Sequence, residues 1–400
     1  MLIDHLTFSR SGGAGIVART LSETQRAIGK DSQLIFSIDT DLRSEPLSRP
    51  SITIGAAIDQ YLLSSSREPT LISYFRSSQM AGRQVQLREN SLVHLHWVEG
   101  VISHQKVEDL LLMGRRVVWT LHDMAPFTGV CHHAHDCSEF EKHCQKCPQT
   151  RKIFRALPEK SLKRKLLIHG HRNLRVVAPT EWLAGKARRS SVLREQSISV
   201  IPNPIDSVFF LPFSKAEARS MIDVSPDELI GLSIANDLSD PNKNIAQVVQ
   251  AFLELEARLG QGRVKLLLVG KNGDRFTTPK GPIVWLGELE SMEIAKFGVA
   301  ADFVVSLSSA ESAGMTIREG AALGLPAIAL ANGGLAEMFR PGNSGFVVNS
   351  RGDLVDRILE IESGSLNLSR MSKEASADAL KSHPLTVERQ YSDLYSSLFD

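Results

Sequence analysis

The chain reads as an α/β protein of two doubly wound domains, on three observations. Short β-rich runs alternate with helical stretches along its whole length, the pattern of strand–helix–strand units. Most of these runs are continuously apolar rather than alternating, as expected for parallel strands buried on both faces. The 400 residues are too many for one ordinary core and suit two domains.

In the first half the strand runs are 2–8, 33–38, 92–96, 117–121 and 175–178. In the second half they are 198–201, 229–235, 264–269, 283–286, 303–306, 327–330 and 345–348. Helices are expected at 14–27 after Gly12-Gly13, at 245–259 after Pro241 and at 315–323 after Gly314. The domain junction is expected at Ile201-Pro202-Asn203-Pro204-Ile205-Asp206, because two prolines in three residues continue neither a helix nor a central strand. That gives domains 1–204 and 205–384. A last helix, 385–400, follows Pro384; packing back on the N-terminal domain is one outcome and packing on the second domain the other.

The formal net charge of +1 hides an asymmetry. Residues 1–205 hold 28 Lys and Arg against 19 Asp and Glu, whereas residues 206–400 hold 18 against 26. The basic excess is densest at 151–194, with 13 basic and 2 acidic residues. Such a run suits phosphates or anionic lipid, and equally an ordinary solvated face. No apolar run approaches the roughly 18 residues of a membrane-spanning helix. The start, MLIDHLTFSRSGG, carries Asp4 early and no long apolar segment, unlike a signal peptide. The expectation is a cytoplasmic protein, with peripheral association at the inner face of a membrane.

Cys131, Cys137, Cys144 and Cys147 lie within 17 residues and are the four cysteines of the chain. Cys144-x2-Cys147 is a half-site for tetrahedral zinc, and two more thiolates complete a four-thiolate shell. Without a secretory signal a structural zinc is favoured over disulfides. His132, His133, His135 and His143 are substitute ligands.

Residues 306–348 carry the most chemistry. Glu311 and Glu319 sit eight positions apart and bracket Gly314. Ser312-Ala313-Gly314 ends a strand and opens a helix, whose free backbone N–H groups and positive dipole end make a seat for a diphosphate. Glu319, about one and a half turns into that helix, is placed to accept from two vicinal hydroxyls, as on a ribose. Glu311, before the helix, is placed to accept from hydroxyls of a sugar attached to the diphosphate. Two glutamates at this spacing also fit a surface loop and a solvated helix.

The longer pattern is more specific. Glu311, Glu319, Gly324-Leu325-Pro326, Gly333-Gly334, Glu337 and Gly345-Phe346-Val347-Val348 resemble the donor site of the family 4 retaining glycosyltransferases. Further landmarks of that resemblance are Gly12-Gly13-Ala14, Val177-Ala178-Pro179-Thr180-Glu181-Trp182-Leu183, Trp285-Leu286-Gly287 and Ala300-Ala301-Asp302. The resemblance implies a GT-B fold, two Rossmann-like domains facing each other across a cleft. It also implies a nucleotide-sugar donor, a glycan or lipid-linked acceptor, and no catalytic divalent metal. Glu311 would contact the donor sugar and Glu319 the ribose. The backbone of Ala313, Gly314, Met315 and Thr316 would meet the phosphates, with Gly12 and Gly13 approaching them from the other domain. Lys243 falls where the family carries its diphosphate-binding Lys, and a Lys at a helix start adds a point charge to the dipole. The family's usual Arg a few residues earlier is replaced by Asn236, Asp237 and Leu238, with Lys271 as a substitute cation. His122 falls where the family has a His near the donor sugar. Similar cysteine-bearing insertions occur in a subset of bacterial enzymes of polysaccharide assembly.

His122-Asp123 follows a strand at the edge where α/β sheets place their ligands; His96 and Glu99 follow the preceding strand and are weaker candidates for acceptor contact. A retaining glycosidase would need two carboxyl groups about 5–5.5 Å apart around the bond; Glu311 and Glu319 read instead as binders. Asp39-Thr40-Asp41 has the Asp-x-Asp form of a metal site and is read as a solvated loop. A reading of another class is a zinc-containing nucleic-acid-binding protein using 151–194. Few aromatics interleave that run, Phe154 and Trp182, so no nucleic acid is expected.

Overall fold

The computed structural model describes residues 1–38, 71–73, 85–99, 101–222, 224–277 and 281–399; Asp39-Thr40-Asp41 lies outside them. The chain divides into two units, Met1–Pro204 with Val387–Asp400, and Ile205–Thr386. Every run expected as a strand is one.

The first unit holds β1 (Leu2–Ser9), β2 (Asp31–Ile38), β3 (Leu92–Leu95), β4 (Val117–Thr120), β5 (Leu174–Ala178) and β6 (Ile198–Val200). They pair in parallel in the order β2-β1-β3-β4-β5-β6. Successive side chains point to opposite faces, so each strand feeds two cores. Leu6, Val93, Leu95 and Trp119 pack with Phe127, Leu162 and Leu183. On the other side Ile3, Leu92, Val118 and Val177 pack with Leu21, Val387, Tyr391 and Tyr395. Val387, Tyr391 and Tyr395 recur at helical spacing, which seats the end of the chain against this sheet. The first helix, α1 (Gly12–Ala27), begins two residues earlier than expected. Gly15 makes the tight entry: a Cβ there would lie 2.3 Å from the Ser9 carbonyl oxygen. Helices α2 (His104–Leu112), α3 (Ala156–Lys165) and α4 (Glu181–Arg189) follow.

The second unit contains α5 (Lys215–Met221), β7 (Leu229–Asp237), α6 (Ile245–Leu259), β8 (Val264–Lys271), β9 (Ile283–Trp285) and α7 (Ser291–Gly298). Then come β10 (Phe303–Ser306), α8 (Met315–Ala322), β11 (Ala327–Leu330), β12 (Gly345–Val348), α9 (Arg351–Glu362) and α10 (Leu368–Ala379); α11 (Pro384–Ser396) runs on into the first unit. The sheet is parallel in the order β12-β11-β10-β7-β8-β9. In α6 the buried Ile245, Val248, Val249, Phe252 and Leu255 form one apolar stripe, and Gly260 ends the helix at φ +93°. The strand order reverses between β7 and β10, the place where open α/β sheets bind ligands beyond the strand C-termini. Among the described residues no helix is long and apolar enough to cross a membrane.

Candidate active site

In the second unit three loops meet beyond the ends of β7, β10 and β11. The first is the short 3-10 turn Pro241–Lys243, capped by the Asp240 side chain, which accepts from Asn242 N at 2.9 Å. Asn244 follows in the left-handed region at φ +51°, and its side-chain amide donates to the Leu307 carbonyl at 2.8 Å. Ser309 N donates to the Asn242 carbonyl at 2.8 Å. These two bonds fasten the turn to the loop after β10. Lys243 Nζ consequently donates to Glu311 Oε1 at 2.5 Å, with both side chains partly open to solvent.

The Gly333-Gly334 turn holds the Glu311 backbone from the other side. Gly334 N donates to the Glu311 carbonyl at 2.8 Å, and Asn332 donates its amide to the Ser309 carbonyl at 2.8 Å. Gly333 adopts φ +58°, and a Cβ there would sit 2.2 Å from the Glu311 carbonyl oxygen. Only glycine fits. Gly314 caps α8 in the left-handed region without a side-chain cap hydrogen bond, so no capping side chain is bonded to the positive dipole end of that helix. Glu319 lies inside α8 and is buried. Burial, reinforced by the nearby Asp206, pushes its carboxyl up to about 7. Arg318 anchors the same helix through the carbonyls of Asp378 and Glu337. Lys271, the candidate substitute for the missing Arg, ends β8 and pairs with Glu288 at 3.1 Å.

In the first unit, open space surrounds Gly12 and Gly13, where added Cβ atoms would meet nothing within 4 Å. His122 follows β4 and is half-buried. Its Nε2 lies 3.2 Å from His96 Nδ1, and burial lowers its pKa to about 4 despite the adjacent Asp123. His96 and Glu99, expected as weaker acceptor contacts, are both buried; His96 touches His122 and His5 instead. Both Glu99 carboxylate oxygens are enclosed, and among the described residues neither has a hydrogen-bond partner. Burial, then the charge of Asp123, pushes that carboxyl up to about 7. Asp123 is spent locally: it accepts from His132 Nδ1 at 2.5 Å, Trp97 Nε1 at 3.0 Å and Ala125 N at 2.8 Å. Burial opposes its charge, but His132 and these donors hold it at about 2.

The four cysteines, expected as ligands of a structural zinc, all lie in the first unit. All are free thiols. Cys131 and Cys144 belong to the main core, with Cys137 packed against it, whereas Cys147 packs with Ile72, Val130, Phe154 and Leu157 in a separate cluster. Burial pushes the Cys144 thiol up to about 12 and raises Cys131 as well. His132, a substitute ligand by sequence, is engaged with Asp123 and Ser73. Beyond burial, the charges of Cys147, Cys144 and Cys137 raise the Cys131 thiol further, so the four thiols lie near one another. Among the described residues the set that gathers three potential ligand atoms is His5, His94 and His96, within 4.8 Å of one another. The basic run is broken up. Lys165 is buried and donates to the carbonyls of Ala125 and Thr128, while Lys163, Arg188 and Arg189 pair with Glu159, Glu181 and Glu141.

Gln25, His5, His94, Thr120, Tyr391 and Tyr395, joined by hydrogen bonds behind His122, are not foreseen from sequence. The available signal was the interruption of apolar strand runs by histidine: His5 within 2–8, and His94 and His96 two apart within 92–96.

Residues 232–378 match the family model described as glycosyl transferases group 1. A D-inositol 3-phosphate glycosyltransferase of Segniliparus rotundus is 29% identical over 190 residues, 44% of this chain and 41% of that protein. The chain thus spans about half the length of the curated relatives it matches, 54% at Bacillus anthracis N-acetyl-alpha-D-glucosaminyl L-malate synthase. Among solved structures, sucrose-phosphate synthase from Thermosynechococcus elongatus superposes with TM-score 0.66 at 18% identity, covering 100% of this chain and 99% of that one. These likenesses carry the fold, which is GT-B.

Proposed function

We propose that this chain, whose residues 232–378 match the family model of the group 1 glycosyl transferases, is a retaining enzyme moving a sugar from a nucleotide-sugar donor to a hydroxyl of a glycan or lipid-linked acceptor. The observation that carries this reading is the Lys243–Glu311 pair, set beside the open start of α8 with Glu319 further along the same helix. A diphosphate on that helix start would draw on the dipole and on Lys243. Ala313, Gly314, Met315 and Thr316 would supply backbone N–H groups, Glu311 would hold the sugar and Glu319 the ribose. Gly12, Gly13 and His122 keep the roles that the family resemblance implies for them, at the phosphate and at the donor sugar.

The chemistry asks for no separate general base. The bond from the sugar's anomeric carbon to the phosphate oxygen breaks while the acceptor oxygen bonds to that carbon from the same face. The departing phosphate oxygen takes the acceptor's proton. Lys243 and the α8 dipole stabilise the charge that develops on the diphosphate, a preorganised arrangement needing no movement at the moment of reaction. Assembly of bacterial surface polysaccharide at the inner face of the membrane is the setting the resemblance favours.

Calorimetric titration with nucleoside diphosphates and nucleotide-sugars tests the reading. Uridine diphosphate comes first, since the GT-B neighbour HepE from Anabaena was solved in complex with UDP, at TM-score 0.66 and 17% identity over 99% of this chain and 100% of that one. Saturable binding of one nucleotide at one site is expected. Absence of binding across the whole panel would remove the donor assignment.

A further inference from the structure

Behind His122 a single file of hydrogen bonds runs through the interior of the first unit. His122 Nε2 lies 3.2 Å from His96 Nδ1, His96 Nε2 lies 3.0 Å from His5 Nδ1, and His5 Nε2 lies 2.8 Å from Gln25 Oε1. A second arm leaves the same amide: Gln25 Nε2 donates to the Tyr395 hydroxyl, which lies 2.7 Å from His94 Nδ1. His94 Nε2 is in turn 2.7 Å from Thr120 Oγ1, and that hydroxyl meets the Tyr391 hydroxyl at 2.8 Å. Both ring nitrogens of His5, His94 and His96 are engaged by these bonds. The trio is therefore complete as a network, without lone pairs left for a metal.

A neutral imidazole has one N–H and one lone pair, so each ring in such a file must donate on one side and accept on the other. Burial keeps these rings neutral. It lowers His5 to about 4, as it does His122, and takes His94 and His96 well below the ordinary histidine range. The direction of the whole file then depends on which end of the Gln25 amide faces His5. With Oε1 facing it, His5 Nε2–H donates to Gln25, His96 Nε2–H donates to His5 Nδ1, and His122 Nε2–H donates to His96 Nδ1. His122 Nδ1 is left as a lone pair, and among the described residues it has no protein partner. Turning the amide round reverses every bond and makes His122 Nδ1 a donor.

We propose that Gln25, His5 and His96 are positioning residues that fix the tautomer of His122, presenting its Nδ1 as a hydrogen-bond acceptor to a hydroxyl of the bound sugar. The tautomer assignment stands on the geometry alone; the sugar contact rests on the role given to His122 above. A lone pair at Nδ1 selects a hydroxyl donor on the ligand, whereas an N–H there would select a carbonyl or carboxylate. Sugars that lack the contacted hydroxyl would leave a half-buried acceptor unpaired.

Histidine-ring ¹⁵N NMR of the full chain without substrate tests the wiring, with the His122 signals identified by their loss in His122→Gln. In the wild-type protein at pH 8, His122 is expected as a single tautomer protonated at Nε2. The Nδ1-protonated form as the major species would overturn the proposal, and this is read on the unaltered protein, with His122→Gln serving only to assign the signals. Gln25→Met removes the terminal acceptor and is expected to populate the Nδ1-protonated form at His122. It should also lower kcat/KM about tenfold, the equivalent of one ordinary hydrogen bond. Gln25→Glu restores an acceptor and should restore the Nε2-protonated form. An unchanged His122 tautomer in a folded Gln25→Met would equally overturn the wiring. Full transfer activity in His122→Gln would overturn the sugar contact while leaving the tautomer result intact.

Discussion

Lys243 Nζ lies 2.5 Å from Glu311 Oε1 although 68 residues separate them in the chain. A partly exposed pair of this kind contributes little to stability, about 0–1 kcal/mol. Its consequence is positional: the cation and carboxylate assigned to a donor's diphosphate and sugar are held next to each other. A bound diphosphate would take Lys243 as its counter-charge and release Glu311 to accept from sugar hydroxyls.

Lys243→Ala should therefore cost catalysis far more than folding. We expect kcat/KM to fall by about 10²–10³, comparable to losing one preorganised donor at a developing charge. The melting temperature should move little, because the pair is partly solvated. Steady-state kinetics beside thermal unfolding checks this. A large loss of stability with kcat/KM intact would assign the pair a structural role instead.

Glu319 gives a pH dependence whose sign follows from its burial. Burial, then the charge of Asp206, pushes its carboxyl up to about 7 in the folded protein, and in the proposed role the ionised form would accept from ribose hydroxyls. Nucleotide affinity should rise with pH through about 7 and level off above. Glu319→Gln should abolish that slope and weaken binding by about 1.5–3 kcal/mol, the worth of hydrogen bonds to a charged group. The stability effect has the opposite sense. A carboxyl whose folded pKa is raised stabilises below its unfolded pKa and loses that contribution as pH rises through about 7. The free Glu319→Gln protein should therefore melt higher than wild type at pH 8, with the difference shrinking at pH 5. Calorimetry and thermal unfolding across pH check both signs.

The strands were legible because a parallel strand buried on both faces leaves a continuous apolar run, as in 264–269 and 303–306. The residues proposed as the donor seat were legible only as residue types in order, Glu311, Gly314, Glu319 and Gly333-Gly334. The contact between Lys243 and Glu311 was not, since it depends on Asn244 and Ser309 fastening two loops after non-consecutive strands. Cysteine packing was not legible for a related reason: local sequence proximity does not say which apolar cluster each thiol packs in, and Cys147 packs in a different one from Cys131. The histidine file was least legible. It joins β1, β3 and the segment after β4, and α1 and α11 add Gln25 and Tyr395. No local pattern predicts which partners the strand order will bring together.

Gly333 offers a test of how tightly the Glu311 loop must be held. Its φ of +58° and the 2.2 Å approach of an added Cβ to the Glu311 carbonyl oxygen leave no room for alanine. Gly333→Ala should cost about 1–3 kcal/mol of stability through backbone strain, and should displace Glu311 from Lys243. Transfer should fall more than nucleotide affinity does, because Glu319 lies on α8 and keeps its place. Unfolding midpoints together with kcat and nucleotide affinity separate these effects; a variant as active as wild type would show that the loop has slack.

The proposed chemistry also makes a claim about metal and about stereochemistry. Lys243 and the open start of α8 converge as sources of positive charge in the second unit, and the pair with Glu311 shows that Lys243 reaches the loop that precedes this helix. Leaving-group charge should therefore be stabilised by the protein's own cation and dipole. Transfer should continue in excess EDTA. Complete loss of activity restored by Mg²⁺ or Mn²⁺ would instead make a divalent ion the partner of the diphosphate. Attack from the face that the phosphate leaves also keeps the donor's anomeric configuration in the product. NMR of the product linkage reads this directly, through the coupling of its anomeric proton. Inversion would require the acceptor to attack from the opposite face with a protein base taking its proton. In that case neither Glu311 nor Glu319 would keep the purely binding role assigned here.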